Sequence, residues 1–144
     1  MPVRQEPSPK TNAQIAANVG LCCACYQLST LGWNTMPTAR NARGIDIVAY
    51  STSGARMLGI QVKALSARNA VPLGTSLDGV MGDFWLIVTR ALSEPHTFVL
   101  LPSEVQALSH PSGKDGRVSY WLEAPRYEAD AFREAWHRIG RGDA

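Results

Sequence analysis

The sequence predicts one mixed α/β domain. Three observations carry that expectation: a long helical segment with an apolar stripe near the N-terminus, a following series of short apolar runs separated by turn residues, and a helical pattern close to the C-terminus. A chain of 144 residues fits a single domain. At this size roughly 68–70% of the unfolded surface is buried, enough for one core without metal or disulfide staples. With 45% hydrophobic and 18% charged residues, the composition excludes a disordered chain, collagen and a heptad rod.

Residues 1–10, with Pro2, Pro7 and Pro9, read as a loose tail ahead of the domain over 11–144. The polar N-terminus does not read as a signal-peptide core. Residues 11–31 read as a helix with Thr11 or Asn12 as cap and Gln14 placed for a capping box. Ile15, Val19, Cys22 and Tyr26 recur at helical spacing, and Leu21, Cys25 and Leu28 widen that stripe, with Gly32 as the stop. Residues 44–50 and 56–65 read as a strand pair around the turn Ser51-Thr52-Ser53-Gly54, and 83–89 and 97–101 as two further strands. Ser103 and Glu104 open a short helix through about Leu108. Residues 110–117 read as loop, 118–122 as an edge strand and 130–139 as a closing helix.

Several function classes drop out. No apolar run approaches the roughly 20 residues that span a bilayer, so the expectation is a cytoplasmic protein with no membrane partner. The three cysteines, Cys22, Cys23 and Cys25, are adjacent and odd in number, which suits a reducing compartment. Cys22 and Cys25 have no second pair of ligands at zinc spacing, and no P-loop, nucleophile elbow or Rossmann glycine pattern is present. A net charge of +2 is too mild to identify a nucleic-acid binder by itself.

Asp46 is the residue that needs explaining, because it is an acid inside an otherwise apolar strand. The returning strand carries Gln61 and Lys63 on one face. A two-residue turn at Ser53-Gly54 places Asp46 opposite Gln61, with Lys63 as diagonal neighbour. A bulge would shift that register. A carboxylate and an amide oxygen are hard ligands of the kind Mg²⁺ prefers, and an ammonium offsets charge developing on a phosphate. The plainer alternative is an Asp46–Lys63 ion pair with Gln61 as bystander.

Gly44-Ile45-Asp46-Ile47 followed by Ile60-Gln61-Val62-Lys63 resembles the core of the PD-(D/E)XK nuclease superfamily, in the Gln variant familiar from Mrr-like restriction endonucleases. The similarity to small bacterial members extends through Leu31-Gly32-Trp33, Thr38, Arg40 to Gly44, Asp83 to Val88 and Phe98 to Ser103, and so covers roughly residues 12–140. It implies a restriction-endonuclease-like αβββαβ core with a mixed sheet between helices. It also implies DNA as partner, Mg²⁺ or Mn²⁺ as cofactor, Asp46, Gln61 and Lys63 as catalytic residues, and Asp46, Gln61 and the Val62 carbonyl as metal ligands. A homodimer is a further expectation, since such nucleases often pair to address two strands.

One departure bears on activity. The first helix of these relatives usually carries Gly-Glu, and here the pair is Gly20-Leu21. Leucine neither binds a cation nor accepts a proton. The expectation is therefore a metal-dependent DNA endonuclease, impaired by Leu21, with a catalytically degenerate binder of nucleic acid or protein, or a structural dimer, as the alternatives. Arg40, Arg43, Arg56 and Arg68 flank the motif and are the candidate phosphate contacts. Trp33, Trp85, Trp121 and Trp136 are expected mainly in the core. Glu104 and Glu123 have no spacing that ties them to the site.

Overall fold

The computed structural model of the chain describes residues 9–39 and 44–144. A helix α1 (Pro9–Thr30) is followed by strands β1 (Asn34–Pro37), β2 (Ile47–Tyr50) and β3 (Met57–Ala64). Then come β4 (Val71–Gly74), β5 (Phe84–Thr89), β6 (His96–Leu100) and helix α2 (Pro102–Leu108). Strands β7 (His110–Lys114) and β8 (Arg117–Leu122) and a short helix α3 (Ala124–Tyr127) complete the order. Five strands form a mixed sheet in the order β1-β2-β3-β5-β6, and β4-β8-β7 form a second, three-stranded sheet. Only β3 and β5 run parallel; the other pairs are antiparallel.

Helix α1 starts two residues earlier than the cap signal suggests, with Pro9 at its opening position, where a missing N–H costs nothing. It stops where the sequence says. Gly32 takes a positive φ of 85°, and the Trp33 and Gly32 N–H groups bond back to the Leu28 and Ser29 carbonyls. The buried stripe differs from the expected one: Ala16, Gly20, Ala24 and Leu28 face the sheet, while Ile15 and Tyr26 are exposed. Small side chains win because they let the helix axis come close. A Cβ on Gly20 would lie 2.4 Å from the Cβ of Ala64 on β3.

The core lies on both faces of the large sheet. On the α1 side, Leu28, Ile47, Ile60, Leu86 and Val99 pack with Trp33 and Ile139. On the other side, Trp85, Ile87, Phe98 and Leu100 pack with Val71 and Leu122 of the small sheet and with Tyr127. Alternation along β3 assigns Ile60, Val62 and Ala64 to the helix side, and Gln61 and Lys63 to the small-sheet side. The crossover from β3 to parallel β5 runs through β4 and a 3₁₀ turn (Leu77–Gly79) instead of the second helix of the expected core. No described helix is long and apolar enough to cross a membrane.

Three readings at the periphery need correction. Residues 110–117, expected as loop, form β7 and a tight turn with Asp115 and Gly116 at φ 55° and 76°, the geometry of an Asp-Gly type I′ hairpin. The closing helix over 130–139 does not form as such. Arg133 bridges to Phe98, the Glu134 N–H donates to the Thr97 carbonyl and the Glu134 carboxylate accepts the Thr97 N–H, so this segment docks on the free edge of β6. Only Trp136–Arg138 keeps a helical turn, of 3₁₀ type. Strands β1 and β4, missed in the sequence, contain Pro37 and Pro72, which sheets tolerate at edges and strand ends.

Candidate functional site

The β2–β3 hairpin has the assumed register: Ile47 faces Ile60 and Tyr50 faces Met57. Its loop is longer than assumed, closed by Ser51 N–H to the Arg56 carbonyl at 2.9 Å. Lengthening by an even number of residues leaves the facing pairs unchanged. The register fails at Asp46 itself. The Asp46 N–H donates to the Ile60 carbonyl at 2.9 Å, so Asp46 and Ile47 both oppose Ile60. This is a β-bulge, and it re-aims the carboxylate.

The cause lies on both flanks. Thr38 on the β1 side donates its N–H to the Asp46 carbonyl at 2.9 Å and its hydroxyl to the Ile45 carbonyl at 2.6 Å. Ile45 seats against Gly59, where any Cβ would lie 2.7 Å from its Cδ1. Asp46 Oδ2 then accepts the Val62 N–H at 2.7 Å, beyond the end of the β2 ladder. The carboxylate replaces the backbone partner that Val62 would otherwise find in a longer β2.

Asp46 lines a cavity of about 330 Å³ with Asn18 and Leu21 of α1, Thr38 and Val62. Gln61 and Lys63 line a different cavity, of about 360 Å³, with Gly44, Pro72, Val80 and Trp85. The Lys63 ammonium sits 5.8 Å from the Trp85 ring centroid, and among the described residues no carboxylate comes within ion-pair distance of it. Gln61 Oε1 is buried and has no hydrogen-bond partner among the described residues. Asp46 and Lys63 therefore do not form the ion pair of the plainer alternative, and Asp46 does not face Gln61.

The donor types of Asp46, Gln61 and the Val62 carbonyl suit a hard cation, but their arrangement does not. A cation of the Mg²⁺ class needs near-octahedral oxygen ligands at about 2.0–2.1 Å. Here one carboxylate oxygen is engaged by Val62, the helix wall offers Leu21, and the Gln61 amide opens onto the other cavity. Among the described residues no three His, Cys, Asp or Glu side chains cluster for a metal.

Two of the four candidate phosphate contacts have partners within the fold. Arg56 stacks 4.8 Å over the Trp33 ring centroid and donates to the Arg141 carbonyl at 2.8 Å. Arg68 pairs with Glu128, which Arg90 also approaches at 3.6 Å. Arg40 and Arg43 lie outside the described residues. Trp33 and Trp85 are buried as expected, whereas Trp121 and Trp136 are only half-buried. Glu104 serves structure: it accepts the Leu101 N–H at 2.7 Å and pairs with Arg138.

The β7–β8 hairpin brings together polar and cationic residues that the sequence pattern alone does not pair. Its facing pairs His110–Trp121, Ser112–Ser119 and Lys114–Arg117 share one side of the ribbon. The readable signal was Lys114-Asp115-Gly116-Arg117, an Asp-Gly turn between alternating residues.

No family model and no curated protein matches the chain. Among solved structures, the bacterial homing endonuclease I-Ssp6803I is similar over 92% of this chain and 93% of its own, with a TM-score of 0.55 and 19% sequence identity. The fold is nuclease-like. Identity at that level carries the architecture and leaves the chemistry to the residues of this chain.

Proposed function

We propose that the chain is a nucleic-acid-binding protein on a nuclease-like fold, with DNA as partner and an incomplete cleavage centre. The observation that carries this reading is the bulge at Asp46. It separates the carboxylate from Gln61 and Lys63, which line another cavity, while Leu21 stands where a second acid would complete the Asp46 cavity. The fold supports the choice of partner, because its structural neighbour is an endonuclease.

A second reading, favoured by one specific observation, is the metal-dependent DNA endonuclease. Gln61 Oε1 is a buried acceptor with no partner among the described residues, the kind of atom that a bound group satisfies. In that reading Asp46, Gln61 and the Val62 carbonyl hold Mg²⁺ or Mn²⁺ and Lys63 acts on the phosphate. It requires the bulge to rearrange when DNA binds.

One experiment separates the two. Plasmid and branched DNA are incubated with the protein and Mg²⁺ or Mn²⁺, and binding is followed by gel shift at several salt concentrations. The incomplete centre gives salt-sensitive binding and no Asp46-dependent cutting. Cutting that both Asp46→Ala and Lys63→Ala abolish would overturn it and establish the endonuclease. Absence of any nucleic-acid binding would remove both.

A further inference from the structure

The β7–β8 ribbon has a polar, cationic face that the nuclease-like core does not use. The turn Asp115-Gly116 puts Lys114 and Arg117 side by side at the tip. Ser112 faces Ser119 one rung below, and His110 faces Trp121 at the base. Every residue of β7 is exposed. Ser112, Lys114, Asp115, Arg117, Ser119 and Trp121 line an open hollow of about 760 Å³. The carboxylate nearest the base, Glu123, is held by His110 at 3.1 Å. Two cations thus stand against one uncommitted acid. The opposite side of the ribbon carries Pro111, Gly113, Val118 and Tyr120, with no charge among them.

We propose that this ribbon is the element that enters the major groove of double-stranded DNA. The proposal rests on the nucleic-acid-binding reading above and names the surface that performs it. A major groove about 12 Å wide and 8.5 Å deep admits a two-stranded ribbon. Five residues of strand extend about 17 Å, long enough to cross it. Lys114 and Arg117 meet phosphates at the groove walls, and the paired hydroxyls of Ser112 and Ser119, which both donate and accept, face the base edges. The I′ turn and the anchoring of β8 to β4 hold the ribbon in shape before contact, so little ordering entropy is lost on binding.

The test is duplex binding by gel shift from 50 to 200 mM salt, comparing wild type, the double variant Lys114→Ala/Arg117→Ala, and Arg126→Glu. The last changes net charge by the same two units on α3, outside the ribbon. Losing two phosphate contacts should lower the slope of log affinity against log salt by about 2, and affinity roughly fifty-fold at 0.1 M salt. Arg126→Glu should stay close to wild type. Hydrogen exchange on the wild-type complex gives a variant-free check, with protection expected over residues 110–122.

Equal binding by wild type and the double variant, or equal loss in Arg126→Glu, would overturn the ribbon and leave the nucleic-acid reading standing. A preference for single strands over duplex would overturn the groove assignment. No binding by wild type to any nucleic acid would overturn both.

Discussion

Gly20 sets the gap between α1 and β3, and the Asp46 cavity opens between those two elements. Gly20→Ala brings two effects of opposite sign. In a helix interior the change is favourable by about 0.8–1 kcal/mol, because alanine loses less backbone entropy. Against that, the new methyl would stand 2.4 Å from the Ala64 Cβ, where ordinary contact begins at 3.4 Å. Neither group has a torsion that moves it away, so the helix or the strand must shift by about 1 Å, and overpacking of this kind costs about 1–3 kcal/mol. The clash wins. The variant should be about 1 kcal/mol less stable, read as a lower urea midpoint at unchanged m-value. Adding Ala64→Gly restores the room. The double-mutant cycle should then show a favourable coupling of about 1–2 kcal/mol despite the poor strand propensity of glycine. A Gly20→Ala protein more stable than wild type by the full propensity gain would refute the close helix–sheet approach.

Three further outcomes follow from two side chains, Tyr127 and Glu104. Tyr127 is fully buried, packs edge-on to Phe98 with centroids 5.5 Å apart, and donates its hydroxyl to the Asn69 carbonyl at 2.5 Å. Tyr127→Phe keeps the packing and strands that carbonyl, so a loss of about 1–2 kcal/mol in chemical denaturation is expected. Burial, reinforced by the neighbouring Glu128, pushes the Tyr127 phenol from 10.0 up to about 12. The unfolded chain gives up this proton first, so the stability held by the neutral phenol is complete below about pH 10 and drains away as pH rises towards 12. Wild type should lose stability steeply over that window, and Tyr127→Phe should lose less. Glu104 behaves in the opposite sense. Burial raises its carboxyl, but the Arg138 hydrogen bond and the Leu101 N–H outweigh it and hold the group below its ordinary 4.5. Its stabilisation is present above about pH 4.5 and is lost as pH falls through the lowered value. Melting curves of Glu104→Gln should therefore change less than wild type between pH 5 and pH 3, and an unchanged acid slope would contradict the Arg138 contact.

How far the sequence could be read depended on whether local pattern or distant pairing decided each segment. Helix α1, β3, β5, β6 and α2 came out near their sequence bounds, because apolar periodicity and a Pro-Ser-x-x start are local signals. The segment 130–139 has helical composition, but its backbone groups are claimed by the edge of β6, which no local pattern records. Strand β8 matches the edge strand expected over 118–122, but β7 and the turn before β8 do not match the loop expected over 110–117, because Pro111, Gly113 and Gly116 mask an Asp-Gly turn signal.

The candidate site shows the same division at closer range. That Asp46 needs a partner was legible from one acid in an apolar strand. Which partner it takes was not, because the choice is made by Thr38, eight residues upstream and just past a strand that ends on a proline, and by Ile45 pressing on Gly59. Once those contacts fix Asp46 and Ile47 together opposite Ile60, the side chain that alternation would aim at Gln61 turns to the Val62 N–H. The motif Asp46, Gln61, Lys63 can therefore be intact in sequence while its groups look into separate cavities. A bulge inserts or removes one residue's worth of register, and one residue is the whole difference between the two faces of a sheet. The basic residues divide in a related way. Arg56 and Arg68, near the motif in sequence, contact Trp33 and Glu128, whereas Lys114 and Arg117, far from it, stand exposed on either side of the Asp115-Gly116 turn.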